Sequence, residues 1–264
     1  MRLNGPLSKM ISVAEDPIKY YLEVGDDFLV VNDLIGQRVA LEYQHQIQCF
    51  CGKVVTEVFR MNFCRDCFFS RPEAGDFIFR PELSKAHLDQ EDRDLEWEKK
   101  HQLQPHVVYL ANSAGLKVGV TRKAQVPTRW IDQGASEAVI LAEVENRYLA
   151  GISEVALKEY VSDKTPWQRM VKGEEPEIDL LAEKERLSEF LPKETKEQVS
   201  TDDRIYQFRY PVRNYPTKAK SLNFQKADRF EGKLIGIRGQ YLLFEEGVVF
   251  NVRSHEGYYT ELRV

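Results

Sequence analysis

The sequence contains no apolar run that approaches the roughly 20 residues needed to span a bilayer. Its first fifteen residues also lack the uninterrupted apolar core of a secretory signal peptide. The first absence argues against a membrane-spanning chain, and the second argues against a secreted one. We expect no membrane partner. We therefore expect a cytoplasmic protein, in a compartment that keeps thiols reduced.

Basic residues are not in excess, since 37 Lys and Arg residues stand against 42 Asp and Glu residues, a net charge of −5. This balance argues against a protein that coats nucleic acid nonspecifically with its whole surface. One basic face remains compatible with it, because local clustering sets the potential that a ligand meets. The length of 264 residues and the hydrophobic content of 42% are typical of a globular chain with one large domain or several small ones.

Cysteine is scarce, and all four cysteines fall in one short stretch. Cys49 and Cys51 lie in C-F-C-G, and Cys64 and Cys67 in C-R-D-C. Two close pairs separated by a hairpin-length stretch are the arrangement that a tetrahedral four-thiolate site needs. We predict that the four cysteines bind one structural Zn²⁺ ion in a small ribbon, with Gly52 at positive φ in the first turn. The alternative is a set of buried or redox-active thiols, with C-R-D-C as the reactive pair.

Patterning along the rest of the chain predicts an α+β fold. Strand-forming residues dominate 19–24, 28–31 and 38–48, and a period of two places Val39, Leu41, Tyr43 and Ile47 on one side of the last strand. The predicted segments are a β unit with the zinc ribbon (1–81), an acidic connector helix (82–105), a central α/β module (106–173), an acidic helix and linker (174–203) and a basic, β-rich, small-barrel-like domain (204–264).

The central module follows a definite order of elements. A strand at 107–111 and a strand at 116–121 are predicted to form a hairpin, because turn residues separate them. A short helix at 127–133, a strand at 138–144 and a helix capped by Asn146 follow.

The motifs of this module resemble those of the GIY-YIG nucleases over roughly residues 106–162. The matching motifs are V-V-Y-L at 107–110, K-V-G-V-T at 117–121 and R-W at 129–130. The resemblance implies a hairpin that carries two short motifs, then a helix that supplies an arginine, and a later helix that supplies a metal-binding glutamate.

Carried over to this chain, the resemblance implies candidate catalytic roles for Tyr109, Lys117, Arg129 and Glu154. Glu154 would hold Mg²⁺ or Mn²⁺, and Arg129 would oppose the charge of a phosphate. Lys117 stands where the family has a tyrosine, and Gln133 where some members have a histidine. A lysine acts as a base only if burial or neighbouring cations lower its pKa by several units. The substitution therefore favours nucleic-acid binding over efficient hydrolysis.

In an alternative interpretation, the residues that match the motifs have structural roles. Tyr109 on an alternating strand is then a core residue, and Arg129 solvates a helix face. Glu154 and Lys158 then form an i,i+4 ion pair on an exposed stripe.

The chain as a whole also resembles an uncharacterised bacterial family, known as domain of unknown function 2797. The matching motifs are the two cysteine pairs, P-E-L at 81–83, R-W-I-D-Q-G-A at 129–135, G-I-R-G-Q-Y-L at 236–242 and N-V-R-S-H-E-G-Y at 251–258. This resemblance spans nearly the full length and implies no particular activity.

Cations and aromatics are interleaved between residues 204 and 238, as in single-strand binding grooves. The basic residues are Arg204, Arg209, Arg213, Lys218, Lys220, Lys226, Arg229, Lys233 and Arg238. In one alternative the aromatics form a barrel core with the cations outside it. In another the cations pair with the acidic stretch at 174–203.

These observations predict a zinc-containing protein that binds nucleic acid, with RNA and DNA both open. The predicted contact residues are Lys117, Arg122, Lys123, Arg129, Arg209, Arg213, Lys218 and Lys220. Two other functions stay open: an active nuclease that depends on a divalent metal, and a protein-interaction or assembly factor that does not touch nucleic acid.

Overall fold

The computed structural model describes all 264 residues of the chain. It contains both sheets and helices, and the predicted α+β class is confirmed. The chain forms two compact units, each assembled from segments that are distant in sequence. Unit 1 comprises Met1–Phe68, Trp167–Glu174 and Phe208–Val264, and unit 2 comprises Phe69–Pro166 and Glu175–Gln207.

Regular secondary structure is found along the whole chain. The strands are β1 (Arg2–Pro6), β2 (Ile11–Val13), β3 (Lys19–Val24), β4 (Asp27–Val30), β5 (Arg38–Gln48), β6 (Val54–Val55), β7 (His106–Asn112), β8 (Leu116–Arg122), β9 (Glu137–Val144), β10 (Tyr206–Gln207), β11 (Lys220–Leu222), β12 (Arg229–Arg238), β13 (Tyr241–Phe244), β14 (Val248–Asn251) and β15 (Tyr258–Arg263). The α-helices are α1 (Arg65–Ser70), α2 (Leu95–Gln102), α3 (Thr128–Asp132), α4 (Arg147–Leu157), α5 (Trp167–Val171) and α6 (Leu180–Ser188). None of these helices has the length and apolar composition that crossing a membrane requires.

Strand β5 lies near the middle of the larger sheet of unit 1. The order of this sheet is β1-β15-β5-β12-β13-β14-β11, and β6 also pairs with β5. Leu41 of β5 lies opposite Leu262 on one side and Phe230 on the other. The predicted alternation of β5 is confirmed, because Val39, Leu41, Tyr43 and Ile47 are all buried. Strands from both ends of the chain therefore share one sheet. A smaller antiparallel sheet of unit 1 has the order β2-β3-β4.

Unit 2 is built around β7, the strand that carries the first motif. Its sheet has the order β10-β9-β7-β8, and all of its pairings are antiparallel. Every residue of β7 is buried, which shows that both faces of the strand are covered. On one face, Val108 and Leu110 belong to an apolar core with Leu157 of α4 and Leu187 of α6. Because successive side chains of a strand alternate, Tyr109 points to the opposite face.

Local signals in the sequence place the helix boundaries of unit 2. The side chain of Asn146 accepts a hydrogen bond of 3.0 Å from the backbone N–H of Leu149, which confirms the predicted cap of α4. Helix α3 lies within the predicted 127–133, and Gly134 follows it with φ of 72°.

Two segments differ from their sequence patterns. Between the cysteine pairs, the apolar residues Val54, Val55, Val58 and Phe59 favour a strand, but only Val54–Val55 is strand. Further along, the chain turns back at Met61 and Asn62, which have φ of 53° and 61°. In the acidic segment 82–105 the only α-helix is α2. One of its acids, Glu98, is buried and accepts backbone N–H bonds from Arg93 and Asp94 at 2.8 and 3.0 Å.

Candidate functional site

The four cysteines come together in unit 1, in a segment of residues 49–68 that we call the ribbon. Their Sγ atoms all lie within 4.8 Å of one another, and none of the cysteines forms a disulfide. A tetrahedral zinc site with Zn–S bonds of about 2.3 Å requires sulfurs roughly 3.8 Å apart. Three of the cysteines are buried and Cys51 is exposed. The cluster is therefore compatible with a structural Zn²⁺ ion.

The backbone around the cysteines supports thiolate ligands. Cys49 Sγ accepts a hydrogen bond of 3.2 Å from the backbone N–H of Cys64, so the two pairs are joined across the ribbon. Gly52 has φ of 85° and its N–H bonds the carbonyl of Cys49 at 2.8 Å, which confirms the predicted turn. A hydrogen bond from the backbone of Lys53 and bonds with the other cysteines lower the pKa of Cys51 to about 7. A lowered thiol pKa favours the form that binds metal.

A cluster of polar side chains lies in unit 2, at the four residues predicted from the sequence as candidate catalytic residues. Tyr109 is on β7, Lys117 on β8, Arg129 on α3 and Glu154 on α4. Arg129 and Glu154 both act electrostatically on Tyr109 and on Lys117, so the four side chains share one neighbourhood. We call this group, together with Gln133, the polar cluster.

Gln133 connects two members of the polar cluster, Tyr109 and Lys117. Its Oε1 accepts a hydrogen bond of 2.7 Å from the Tyr109 hydroxyl and one of 3.0 Å from Lys117 Nζ. Lys117 Nζ also donates to Thr165 Oγ1 at 3.3 Å. A single carboxamide oxygen therefore orients the tyrosine and the lysine towards each other.

Gly119 makes room for the tyrosine. It pairs with Tyr109 across the β7–β8 hairpin, and a Cβ on residue 119 would lie 2.5 Å from the Tyr109 hydroxyl oxygen. Real Cβ atoms do not approach other heavy atoms so closely. The glycine of the second motif is therefore explained by the close approach of the tyrosine side chain.

Burial determines the proton affinities in the polar cluster. Lys117 is only 4% exposed, and burial together with the nearby charge of Arg129 lowers its pKa to about 8. Burial raises the pKa of Tyr109 to about 12, although Arg129 acts in the opposite direction. Near neutral pH the tyrosine is thus protonated, whereas a measurable fraction of Lys117 is neutral.

The position of Glu154 agrees in part with each of the two interpretations of the sequence. It forms the i,i+4 pair with Lys158, at 3.4 Å, but it is 9% exposed and does not lie on an exposed stripe. Burial raises the pKa of this carboxyl group. Lys158 also pairs with Asp163 at 3.1 Å, and Asp163 acts on Lys117. Asp163 is therefore linked to Glu154 of the polar cluster through Lys158.

Sequence reasoning missed Arg147, which also acts electrostatically on Glu154 and Arg129. Its guanidinium donates to the carbonyl oxygens of Phe77 and Ile78 at 2.8 to 3.1 Å. Burial lowers its pKa to about 10. A cation in the first turn of a helix interacts unfavourably with the helix dipole. The position of Arg147 directly after the predicted cap Asn146 is therefore the feature of the sequence that could have identified it.

The remaining predicted contact residues have varied surroundings. In unit 2, Arg122 acts on Arg147, and Lys123 forms an ion pair with Glu143. In unit 1, Arg209 pairs with Asp16 at 2.6 Å. Three further predicted contact residues are exposed on unit 1: Arg213, Lys218 and Lys220.

Some aromatics of the 204–238 segment belong to the core. Tyr210 and Phe224 are buried, and the ring of Phe230 packs against Phe244 at 4.8 Å. Arg229 and Lys233 pair with Glu42 and Glu245 of unit 1. This arrangement agrees with the alternative in which the aromatics form a core.

The structure brings only one group of three or more His, Cys, Asp or Glu side chains together in a way that suits a metal ion, and that group is the four cysteines. The polar cluster itself offers a single carboxylate, Glu154.

Comparison with known proteins gives one family match. The profile of a family described as Protein of unknown function (DUF2797) matches residues 36–260. This span includes both the ribbon and the polar cluster. No curated protein and no solved structure matched the chain.

Zinc content tests the cysteine site. We expect protein purified without chelators to carry about one zinc ion per chain, measured by plasma mass spectrometry. Cys64→Ser should lose most of the zinc and unfold the ribbon first, because metal-binding energy is folding energy there. Asp66→Asn, which lies between two of the cysteines, is the control and should keep its zinc. Less than about half an equivalent in the wild-type protein would contradict the site.

The burial of Lys117 predicts how stability depends on pH. The pKa of Lys117 is about 8 in the folded protein, against an ordinary value of about 10.4 when unfolded. Between these values the unfolded chain binds more protons, so stability should rise with pH by up to about 3 kcal/mol. Lys117→Met should lack this rise in urea unfolding curves recorded across the window. The exposed Lys123→Met should retain it, and parallel curves for wild type and Lys117→Met would refute the burial of a charged amine.

Proposed function

The chain belongs to the DUF2797 family, and we propose that it binds nucleic acid. In this proposal the polar cluster of unit 2 contacts the phosphodiester backbone, and a Zn²⁺ ion stabilises the ribbon of unit 1. The observation that carries this proposal is the buried Lys117 beside Arg129, with a pKa lowered to about 8 by burial and by that arginine. A buried lysine held near a second, half-buried cation costs free energy. A phosphate group that binds between them offsets this cost.

The balance of charge supports an anionic ligand. The acids that interact with the polar cluster or with Arg147 are Glu82, Glu154 and Asp163. The cations are Lys117, Arg122, Arg129, Arg147 and Lys158. Cations therefore outnumber acids around the polar cluster. Arginine suits this role because its planar fork donates two parallel hydrogen bonds to phosphate oxygens.

The resemblance to GIY-YIG nucleases supports a phosphodiester in particular. Hairpin, helix, strand and helix occur here as β7–β8, α3, β9 and α4, in the order that the resemblance implies. The residues that match the motifs interact with one another although they come from four different elements. A chance match of short motifs has no reason to bring the side chains together.

In this proposal the role of the four-cysteine ribbon is structural. A zinc ion at these thiolates would replace a hydrophobic core that a segment of this size does not build. The ribbon follows β5 directly, so the ion would anchor it to the larger sheet.

Binding is tested by fluorescence anisotropy with labelled RNA and DNA over a series of salt concentrations. Arg129→Ala should weaken binding by about tenfold, as expected for loss of a charge-assisted hydrogen bond. The loss should be equal for unrelated sequences, because phosphate contacts carry no sequence information. The slope of log affinity against log salt should decrease by about one.

Lys100→Ala, an exposed lysine of α2, is the matched control and should bind like wild type. Equal affinities for Arg129→Ala and wild type would overturn the polar cluster as the binding site. If the wild-type protein shows no salt-sensitive binding to single- or double-stranded RNA or DNA at micromolar concentration, a protein-interaction role replaces the proposed one.

Hydrolysis is a second candidate function, because the pKa of Lys117 is lowered to about 8 by burial and Arg129. A general base works best when its pKa lies near the operating pH. The neutral amine of Lys117 would accept a proton from an attacking water, while Arg129 opposes the charge on the phosphate. Glu154 is the residue that would hold Mg²⁺ or Mn²⁺, ions that proteins often bind through one carboxylate and several waters. Such an ion, when bound, would neutralise charge on the phosphate.

Cleavage assays with Mg²⁺ or Mn²⁺ separate hydrolysis from binding. The rate should rise with pH and level off above about pH 8, where Lys117 becomes neutral. Glu154→Gln should abolish cleavage while the nucleic acid still binds. Lys117→Met should abolish cleavage and also weaken binding, and Lys100→Ala should cleave normally. Intact binding without cleavage in either metal would exclude hydrolysis.

A further inference from the structure

The ribbon exposes aromatic side chains that its fold does not cover. Phe59 is 44% exposed and Phe50 is 62% exposed. Each nevertheless packs against a neighbouring ring, since Phe59 lies 5.1 Å from Phe68 and Phe50 lies 5.8 Å from Phe63, measured between ring centroids. The rings are therefore supported from within the ribbon while much of their surface meets solvent.

Two arginines lie over the same exposed ring. The guanidinium carbons of Arg60 and Arg65 lie 5.9 and 6.0 Å from the centroid of Phe59. These distances are within the range of cation–π interactions. Both arginines are themselves exposed. Phe59 is thus an aromatic surface flanked by two positive charges.

A turn within the ribbon keeps this arrangement in place. Met61 and Asn62 both have positive φ, and the N–H of Phe63 bonds the carbonyl of Arg60 at 2.9 Å. The N–H of Phe59 also bonds the carbonyl of Phe63, at 2.8 Å. Methionine rarely adopts this conformation, and strained backbone persists where the surroundings over-determine it. The tight turn fixes Arg60 next to the ring.

Several cations of the C-terminal segment are paired with acids. Arg209, Arg229 and Lys233 each form an ion pair with an acid. Arg60 and Arg65 instead lie over an aromatic ring. Their charge therefore remains available to an anionic partner.

We propose that the ribbon binds single-stranded nucleic acid, with an unpaired base stacked on Phe59 and the adjoining phosphates contacted by Arg60 and Arg65. Stacking on an aromatic ring requires the face of a base, which a duplex hides and a single strand exposes. Alternating phosphates and bases match a surface in which cations flank a ring. Lys53 adds a third exposed cation in the same ribbon, against the acids Glu57 and Asp66.

This inference rests on the proposed function for the nature of the ligand, but it concerns different residues in a different unit. The polar cluster of unit 2 would contact phosphates of any strand, whereas the ribbon would distinguish unpaired from paired bases. The two contributions are separable by mutation.

The test uses the full-length zinc-loaded protein with a labelled oligothymidylate and a labelled duplex as probes. Phe59→Ala should weaken binding of the oligothymidylate by about tenfold, the order expected for one lost base–aromatic stack. Duplex binding should change by less than about twofold, since a duplex offers no free base face. Phe59→Trp should bind the oligothymidylate as tightly as wild type does, because an indole ring also stacks on a base.

Two controls make the result specific. Phe28→Ala removes another exposed phenylalanine of unit 1, 57% exposed and stacked on Tyr21, and should leave both affinities unchanged. Phe59→Leu keeps apolar bulk but has no aromatic face, so it should bind as weakly as Phe59→Ala. Zinc content should be equal in all variants, which separates lost stacking from an unfolded ribbon.

The possible outcomes distinguish the ribbon proposal from the polar-cluster proposal. If Phe59→Ala and Phe59→Leu bind oligothymidylate as wild type does, the ribbon proposal is overturned, whatever Arg129→Ala shows. If they weaken binding and Arg129→Ala does not, the ribbon proposal stands and the polar cluster fails as the binding site. If wild type binds neither probe, both proposals fail, and the exposed rings become a surface for a protein partner.

Discussion

The burial of the Lys117 amine is the constraint on which the centre of unit 2 depends. A buried ammonium group needs acceptors, and it finds them in Gln133 and Thr165. Gln133 is held in turn by the Tyr109 hydroxyl, and Tyr109 fits only because residue 119 lacks a Cβ. Each polar group is thus placed by the next, as expected where unsatisfied buried groups are costly. This dependence keeps Tyr109 and Lys117 within hydrogen-bonding distance of the same Gln133 oxygen.

Unit 1 uses its charges in another way. Strand β5 pairs with β12 and β15. Acids on β5 and β15 form ion pairs with arginines from both ends of the chain, and Arg2 near the start of the chain pairs with Glu261 of β15 at 2.6 Å. Glu42, for example, pairs with Arg229 at 2.8 Å and with Arg263 at 3.4 Å. Such exposed pairs contribute only about 1 kcal/mol or less each, so apolar burial along β5 carries the stability. In the ribbon, by contrast, two arginines lie beside an exposed aromatic ring.

The candidate site was predictable as a list of residues, and less so as an arrangement. Motif order identified Tyr109, Lys117, Arg129 and Glu154, because the residue types carry the chemistry. Gln133 entered the sequence argument as a departure from the family pattern, yet it connects the cluster. Arg147, Thr165 and the burial of Glu154 depend on how α4 and the chain around residue 165 pack against the sheet, and short-range patterns do not report such packing.

Strands β3 and β5, the hairpin of β7 and β8, the cap of α4 and the clustering of the four cysteines were determined by the sequence alone. These features follow from interactions within a few residues, such as alternation, turn chemistry and capping. Only the tertiary structure decided that strands from both termini share one sheet, that a lysine on β8 becomes a buried group of lowered pKa, and that Phe59 stays exposed beneath two arginines. These properties depend on which distant segments exclude water from a side chain, and local sequence does not specify its distant neighbours.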